Sequence, residues 1–168
     1  MKTTPPAINV LVLCTGNSAR SILGEALFNH LGKGRVRAWS AGSQPSGKVN
    51  PVALETLEKH GVPLPFDVRS KSWDEFAAAD APTLDYIFTV CANAAGEACP
   101  IWPGHPATAH WGIDDPAHVE PLAARRAAFE TAYLGLEKRV RAFLALDLES
   151  MSRADVRTAA GLIHEACQ

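Results

Sequence analysis

Residues 8–21 read INVLVLCTGNSARS, and this stretch decides the fold. Its apolar first half predicts a buried parallel strand over Asn9–Cys14, and the apolar positions after it predict a crossover helix over Arg20–Leu31. Small residues between strand and helix let backbone N–H groups turn inward around an anion, and the helix N-terminus adds positive potential. We therefore predict an oxyanion-binding loop formed by Thr15, Gly16, Asn17, Ser18, Ala19, Arg20 and Ser21.

Cys14 and Arg20 stand at the two ends of that loop. The inward amides and the helix N-terminus favour a thiolate over a thiol, which makes Cys14 a candidate nucleophile. The planar guanidinium of Arg20 matches two oxygens of a tetrahedral oxyanion. The pair predicts attack on phosphate or a phosphate-like anion. The alternative is a structural cysteine beside an ordinary loop; a mononucleotide loop is disfavoured because no Gly-Lys-Ser or Gly-Lys-Thr follows.

Strand and helix patterns alternate along the rest of the chain. This alternation predicts an α/β fold, a three-layer α/β/α sandwich around a four-stranded parallel sheet. We expect one domain over residues 1–168, with a core at 7–146 and a C-terminal helical extension at 147–168. Strands are predicted at Val36–Ala41, Asp85–Val90 and Ala107–Trp111, and helices at Asn50–His60, Trp73–Ala78 (short), Leu122–Leu146 and Ser152–Cys167.

Length and charge exclude several classes of protein. The chain has 168 residues and a formal net charge of −2, so it has no broad positive field for nucleic acid or an anionic membrane. It has no stretch long enough for a membrane span and no secretory signal pattern, so we expect a cytoplasmic protein. The four cysteines suit reactive groups better than a disulfide scaffold in a chain of this size.

Two further cysteines follow a second predicted strand. Ligands of parallel sheets bind outside the carboxyl ends of the strands, and Cys14 and Cys91 both fall at such ends. Between Cys91 and Cys99 the residues are mostly Ala and Gly, so the segment could bring either sulfur to another site. The alternative is a core cysteine and an ordinary loop thiol. We predict no metal here, because the spacing lacks the short Cys-x2-Cys pattern typical of zinc sites.

Asp115 precedes Pro116, which restricts it to an extended conformation. A carboxyl aimed from such a rigid position could protonate an oxygen that leaves the central atom of the bound anion. Asp-Pro is also a common turn opener, so Asp115 is a candidate acid only because an oxyanion loop is predicted in the same chain.

Together these motifs resemble those of arsenate reductases with the low-molecular-weight tyrosine phosphatase fold. The phosphatase loop is shared by both branches of that fold, whereas the cysteine pair followed by Pro and the His-Trp-Gly before Asp-Pro are similar specifically to the reductases. The similarity runs from about Asn9 to Ala145. The motifs are CTGNSARS (14–21), SAG (40–42), TVC (89–91), CP (99–100) and HWGIDDP (110–116).

The resemblance implies a reaction and its residues. Cys14 would attack arsenate held by Arg20 and the loop, while Asp115 protonates the departing oxygen. Cys91 would then attack Cys14 and release arsenite, and Cys99 would take over the disulfide from Cys91. No tightly bound cofactor is implied; the reductant is an external thiol, thioredoxin or glutathione with glutaredoxin. Asn17 and Ser21 would order the loop, and a potassium ion is implied in some relatives at positions that align with Asn17, Glu25, Ser40 and Asp74.

Two alternatives of other classes stay open. A tyrosine phosphatase would use Cys14, Arg20 and Asp115 in the same way, with water resolving the intermediate. Here Ala117 and His118 follow the Asp-Pro, where such phosphatases usually carry aromatic residues. A non-catalytic redox sensor would need the thiols but not the acid. The Cys91–Cys99 interval is one residue longer than in the thioredoxin-linked reductases, so the electron donor stays open between the two thiol systems.

Overall fold

The computed structural model describes residues 6–65, 68–90 and 106–168. These contain four strands, four α-helices and one short 3-10 helix at Trp73–Phe76. The predicted order of elements is confirmed, with bounds that differ by one or two residues. The strands are β1 Ile8–Leu13, β2 Val36–Ala41, β3 Tyr86–Thr89 and β4 Ala107–His110, and the helices are α1 Arg20–Gly32, α2 Pro51–Lys59, α3 Leu122–Leu144 and α4 Arg153–Ala166.

The sheet is parallel throughout, with the strand order β2-β1-β3-β4. In this register Leu13 pairs with Ala41 on one side and with Thr89 on the other, and Thr89 pairs with His110. The carboxyl ends of all four strands therefore lie at the same edge. The residues that follow them, beginning with Cys14 after β1, are brought together there.

The two faces of the sheet bury different amounts of apolar surface. Val10 and Val12 point into the larger cluster, which all four helices join, while Leu11 and Leu13 point into a smaller cluster that includes the 3-10 helix. Alternate residues of β1 are thus buried on both faces, as expected for a central parallel strand. The predicted α/β class with a four-stranded parallel sheet is confirmed.

Trp111 anchors the last helix to the sheet. It follows β4, is fully buried, and packs against Phe88 with ring centroids 4.1 Å apart and the two rings tilted by 37°. Its indole N–H donates to the carbonyl of Ala160 in α4 at 3.0 Å. The buried polar end of the ring is therefore satisfied, and residues 153–166 pack on the sheet beside the loop that carries Asp115. None of the helices in the described ranges is long and apolar enough to cross a membrane.

Candidate active site

The loop after β1 is held open by hydrogen bonds on its outer side. The carbonyls of Thr15, Gly16 and Ser18 accept from the backbone N–H groups of Gln44, Ser46 and Asn50 at 3.0, 2.9 and 2.8 Å. In a planar trans peptide the N–H points opposite to the C=O. The next N–H groups along the chain therefore face the inside of the loop, where an anion can accept from them.

Cys14 lies at the base of this loop and is only 5% exposed. Its own N–H donates to Ala41 at 3.2 Å, which fixes its backbone to the end of β2. Helix α1 begins six residues later, and its N-cap Ala19 supplies no capping side chain. The first-turn amides of α1 therefore have no side-chain oxygen from the cap, and the positive end of the helix is directed at the loop that contains Cys14.

Gly42 permits the loop to pack against the end of β2. A Cβ on this glycine would clash with the carbonyl oxygen of Thr15 and would lie 2.8 Å from that of Cys14 and 3.0 Å from the nitrogen of Asn17. All three atoms are backbone, so rotation of a side chain cannot relieve the overlap. The glycine of the SAG motif is needed for close approach of two backbones rather than for a turn.

Arg20 connects the loop to the predicted acid. Its Nη1 donates to the carbonyl of Ile113 at 2.8 Å, and its Nη2 lies 3.6 Å from a carboxylate oxygen of Asp115. The side chain is 13% exposed, and within the described residues its buried Nε has no hydrogen-bond partner. A buried donor without a partner costs free energy unless a ligand satisfies it. The guanidinium is therefore arranged to receive an acceptor such as an oxyanion oxygen.

The loop that carries Asp115 is tied to the same edge of the sheet. The N–H of Trp111 donates to Thr89 at 2.7 Å, and that of Ile113 donates to Val90 at 3.0 Å. The Asp115 carboxylate accepts from the N–H of Ala117 at 2.9 Å and remains 42% exposed. The carboxyl is thus positioned by its own turn, beside Arg20 but open to solvent.

A buried polar network supports the back of the loop. Asn17 has a positive φ of 45°, a conformation that asparagine tolerates better than most residues. Its side-chain amide donates to the hydroxyls of Ser21 and Ser40, each at 2.9 Å, and its carbonyl accepts from the backbone N–H of Lys71 at 2.8 Å. These bonds occupy the amide of Asn17 and fix the sharp bend between Gly16 and Ser18. This supports the predicted ordering role of Asn17 and Ser21.

Glu25 and Lys71 extend this network into the core. Ser40 donates its hydroxyl proton to the Glu25 carboxylate, and the Lys71 ammonium lies 3.8 Å from the same carboxylate. The two charged side chains are 2% and 3% exposed. Lys71 belongs to none of the sequence motifs and comes 46 positions after Glu25 in a turn-rich stretch. The one sequence signal for Lys71 is its position between the SAG motif at 40–42 and the TVC motif at 89–91.

The geometry does not favour the potassium site that the resemblance implied. Asn17, Glu25 and Ser40 do lie together, but they are hydrogen-bonded to one another in a chain, and the Lys71 ammonium already supplies a positive charge beside the carboxylate. Asp74 is exposed in the 3-10 helix. Among the described residues, no group of three or more His, Cys, Asp or Glu side chains could hold a metal ion.

The predicted resolving thiols, Cys91 and Cys99, lie outside the described residues. The structure does describe Val90, the residue before Cys91. Its N–H donates to the carbonyl of Leu13, the residue before Cys14, at 2.9 Å.

Cys167 is partly buried and lines a cleft of about 670 Å³ that also contains Asp115 and Arg139. Burial lowers the pKa of the Arg139 guanidinium from its usual value.

Comparison with known proteins places this geometry in a family. Residues 9–156 match the family described as low molecular weight phosphotyrosine protein phosphatase. An arsenate reductase from Shouchella clausii (strain KSM-K16) is 33% identical over 117 residues, which cover 70% of this chain and 80% of the relative.

Solved structures of two activities share the fold. The arsenate reductase of Archaeoglobus fulgidus DSM 4304 is 28% identical, with a TM-score of 0.62, and the similarity covers 82% of this chain and 99% of that chain. A tyrosine phosphatase of Erwinia amylovora is 27% identical, with a TM-score of 0.63, and the similarity covers 80% of this chain and 89% of that chain. The fold alone therefore does not separate reduction from phosphate ester hydrolysis.

Proposed function

The chain belongs to the low molecular weight phosphotyrosine protein phosphatase family, and we propose that within this family it is an enzyme that reduces arsenate to arsenite. The observation that carries the proposal is the loop itself. Cys14 lies at its base, inward amides surround it, and Arg20 retains a buried Nε with no partner in the described residues. The curated relative from Shouchella clausii is an arsenate reductase. Among the tetrahedral anions that such a loop could bind, this similarity favours arsenate as the substrate.

The first step uses Cys14, Arg20 and Asp115. The Cys14 thiolate attacks arsenic, so an S–As bond forms and one As–O bond breaks. Arg20 and the loop amides hold the remaining oxygens and stabilise the charge that develops on them. Asp115 protonates the departing oxygen, which leaves as water. The 3.6 Å separation between Arg20 and Asp115 supports this division of roles, because it keeps the acid beside the bound anion.

The second step transfers electrons to arsenic through a pair of thiols. Cys91 attacks the sulfur of Cys14 and forms a disulfide; the S–As bond breaks with its electron pair on arsenic, which goes from As(V) to As(III) and leaves as arsenite. Cys99 then attacks Cys91 and frees Cys14. The proposal rests here on the resemblance and on the bond between Val90 and Leu13, which precede Cys91 and Cys14.

The reductant is an external thiol, and one assay separates the two candidates. NADPH oxidation that depends on arsenate is measured with thioredoxin and thioredoxin reductase, and in parallel with glutathione, glutaredoxin and glutathione reductase. We expect turnover in one of the two systems. The Cys14→Ser variant serves as the control and should be inactive in both, because a hydroxyl is a much poorer nucleophile than a thiolate. Arsenate-independent oxidation alone, or none in either system, would contradict the proposal.

A second variant tests the relay. Cys91→Ser should lose multiple turnover with arsenate because no thiol remains to release arsenite from Cys14. Any hydrolysis of p-nitrophenyl phosphate should persist in this variant, since water resolves that intermediate. If instead arsenate turnover continues with glutathione at the wild-type rate, glutathione itself resolves the intermediate and Cys91 has no part in it.

Phosphatase activity is the second candidate function. The family and the solved tyrosine phosphatase from Erwinia amylovora favour it. Against it, Ala117 and His118 follow the Asp-Pro, and His118 is 89% exposed, so neither of these two residues is the Phe, Tyr or Trp that would pack against a phosphotyrosine ring. Hydrolysis of phosphotyrosine peptides with a kcat/KM above that for arsenate reduction would reverse the order of the two proposals.

A further inference from the structure

Lys71 and Glu25 form an ion pair in the interior, and neither side chain is more than 3% exposed. Removal of two charges from water is costly, and the attraction between them repays that cost only when the geometry is good. The pair is therefore poorly explained as a contribution to stability. Its location gives a better explanation, because both residues are bonded to groups that hold the anion-binding loop.

Two separate connections lead from the pair to Asn17. Glu25 accepts the hydroxyl proton of Ser40, and the same hydroxyl accepts from the side-chain amide of Asn17. Lys71 donates its backbone N–H to the other end of that amide, at 2.8 Å. Its ammonium also donates to the carbonyl of Arg69 at 3.1 Å. The pair is thus connected by hydrogen bonds to the residue that bends the loop, through Ser40 on the Glu25 side and through the backbone N–H on the Lys71 side.

This position creates an electrostatic problem that the pair resolves. A lone buried carboxylate behind the loop would repel both the Cys14 thiolate and the incoming oxyanion, and the low dielectric of the interior would screen that repulsion weakly. An ammonium 3.8 Å from the carboxylate opposes its field and leaves the pair with no net charge. The hydrogen bond from Ser40 to Glu25 is then kept without the penalty of a net negative charge.

We propose that Lys71 is a positioning residue, a built-in cation that neutralises Glu25 so that the Asn17–Ser40–Glu25 network can shape the loop and still leave it attractive to a tetrahedral dianion. This inference rests on the proposed function only in that the loop binds such an anion. It assigns the positive charge behind the loop to the chain itself rather than to a bound metal ion.

Charge variants of the pair test the proposal with inorganic phosphate as the probe. Dissociation constants are measured by titration calorimetry for wild type, Lys71→Met, Glu25→Gln and the double variant, beside their melting temperatures. Lys71→Met should weaken phosphate binding by about tenfold, since it removes the positive charge beside the Glu25 carboxylate. Glu25→Gln should bind phosphate at least as well as wild type, because glutamine can still accept from Ser40 and the ammonium remains.

The double variant removes both charges, so its affinity should return to within about threefold of wild type even if its melting temperature is lower. A merely structural role predicts the opposite, namely that all three variants lose affinity in step with their loss of stability. That result would overturn the proposal, as would unchanged binding in Lys71→Met.

Two controls keep the test decisive. Lys71→Arg preserves the charge and should keep the phosphate affinity within about threefold. If Lys71→Met does not fold, the double variant decides alone, and lost binding in a folded double variant would refute the inference. If wild type itself fails to bind phosphate, the proposed anion site fails and takes this inference with it, whereas a wild type that binds phosphate with an affinity insensitive to Lys71 refutes the inference alone.

Discussion

The residue packed most tightly against the anion-binding loop is a glycine, Gly42, which has no side chain. Gly42 approaches the backbone of Cys14, Thr15 and Asn17 so closely that a methyl group must displace one of them. We predict that Gly42→Ala lowers phosphate affinity and turnover by at least tenfold, because the displaced atoms belong to the anion-binding loop. Overpacking of this kind also costs about 1–3 kcal/mol of stability. Phosphate titration and chemical denaturation of the same samples measure both effects.

Gly161 offers a matched control for that substitution. It lies in α4, and a Cβ there would meet nothing within 4 Å. Gly161→Ala should keep phosphate binding unchanged and stabilise the protein by up to about 1 kcal/mol, since alanine favours a helix more than glycine does. Equal activity in Gly42→Ala and Gly161→Ala would show that the loop tolerates the displacement.

The carboxyl of Asp115 supports a second prediction at this scale. Asp115→Asn retains the shape and an acceptor for the N–H of Ala117 but cannot give up a proton. We expect the first chemical step to slow by about 10²–10⁴-fold, the range typical of a lost general acid, with phosphate affinity changed by less than about threefold. Rapid-quench measurement of a single turnover isolates this step. A wild-type single-turnover rate would remove Asp115 from the mechanism.

The sequence predicts the residues proposed to hold the anion, and the resemblance also named Asn17, Glu25 and Ser40 behind the loop, but not Lys71. Cys14, Arg20 and Asp115 follow from residue type and order, because each lies in a motif beside a predicted strand or helix. The roles of Cys91 and Cys99 stay predictions. Lys71 escaped notice because a lysine is normally exposed; only the folded chain shows that its ammonium lies inside, next to a carboxylate 46 positions earlier.

At the scale of elements, periodicity located every described strand and helix but not their last residues. Helix α3 was predicted to end at Leu146 and ends at Leu144. The N–H of Leu146 donates to Phe143, three residues back rather than four. The last turn therefore has the tighter 3-10 hydrogen-bond pattern. The spacing of apolar residues does not predict where a helix changes to this pattern. Similarly, the helical piece predicted at Trp73–Ala78 is a 3-10 helix at Trp73–Phe76.

The cap of α4 gives a prediction for a single element. The hydroxyl of Ser152 accepts from the N–H of Asp155 at 3.1 Å and satisfies one donor of the first turn. Ser152→Ala should lower the free energy of unfolding by about 1 kcal/mol, and hydrogen exchange should speed up first in residues 153–157. Ser152→Asp is the control, since aspartate also caps, and should stay close to wild type. An unchanged exchange pattern in Ser152→Ala would contradict this account of the cap.

At the scale of the whole molecule, Arg35 joins the start of β2 to the end of α3. Its guanidinium donates to the carbonyls of Leu144 and Leu146, and it contacts both oxygens of the Glu149 carboxylate. One side chain thus satisfies carbonyls that the helix leaves unpaired at its C-terminus and ties the chain beyond α3 to the sheet. This connection supports the proposal that residues 147–168 extend a core at 7–146.

The same contact makes stability depend on pH. The hydrogen bond from Arg35 holds the pKa of Glu149 below its ordinary value of 4.5, and hydrogen bonds from Arg69 and His60 do the same for Glu75 and Glu130. A carboxyl whose pKa is lower in the folded state stabilises the protein above the unfolded pKa. That contribution is lost as the pH falls through the folded value. The free energy of unfolding should therefore decrease as the pH drops below about 4.5.

Glu149→Gln separates this titration from other effects of acid. At pH 7 the variant should be less stable than wild type by about 0.5–1 kcal/mol, the usual range for a partly exposed ion pair. The difference should shrink as the pH falls through the lowered folded-state pKa of Glu149, because below it the carboxyl is protonated in both the folded and the unfolded states of wild type. Glu58, which is exposed and has no ion pair within the described residues, provides the control Glu58→Gln, whose difference from wild type should stay small at every pH. Thermal unfolding followed by circular dichroism from pH 3 to pH 7 measures both curves. A constant difference between Glu149→Gln and wild type would mean that Glu149 acts through packing, because only a charge that disappears with acid can make the two curves converge.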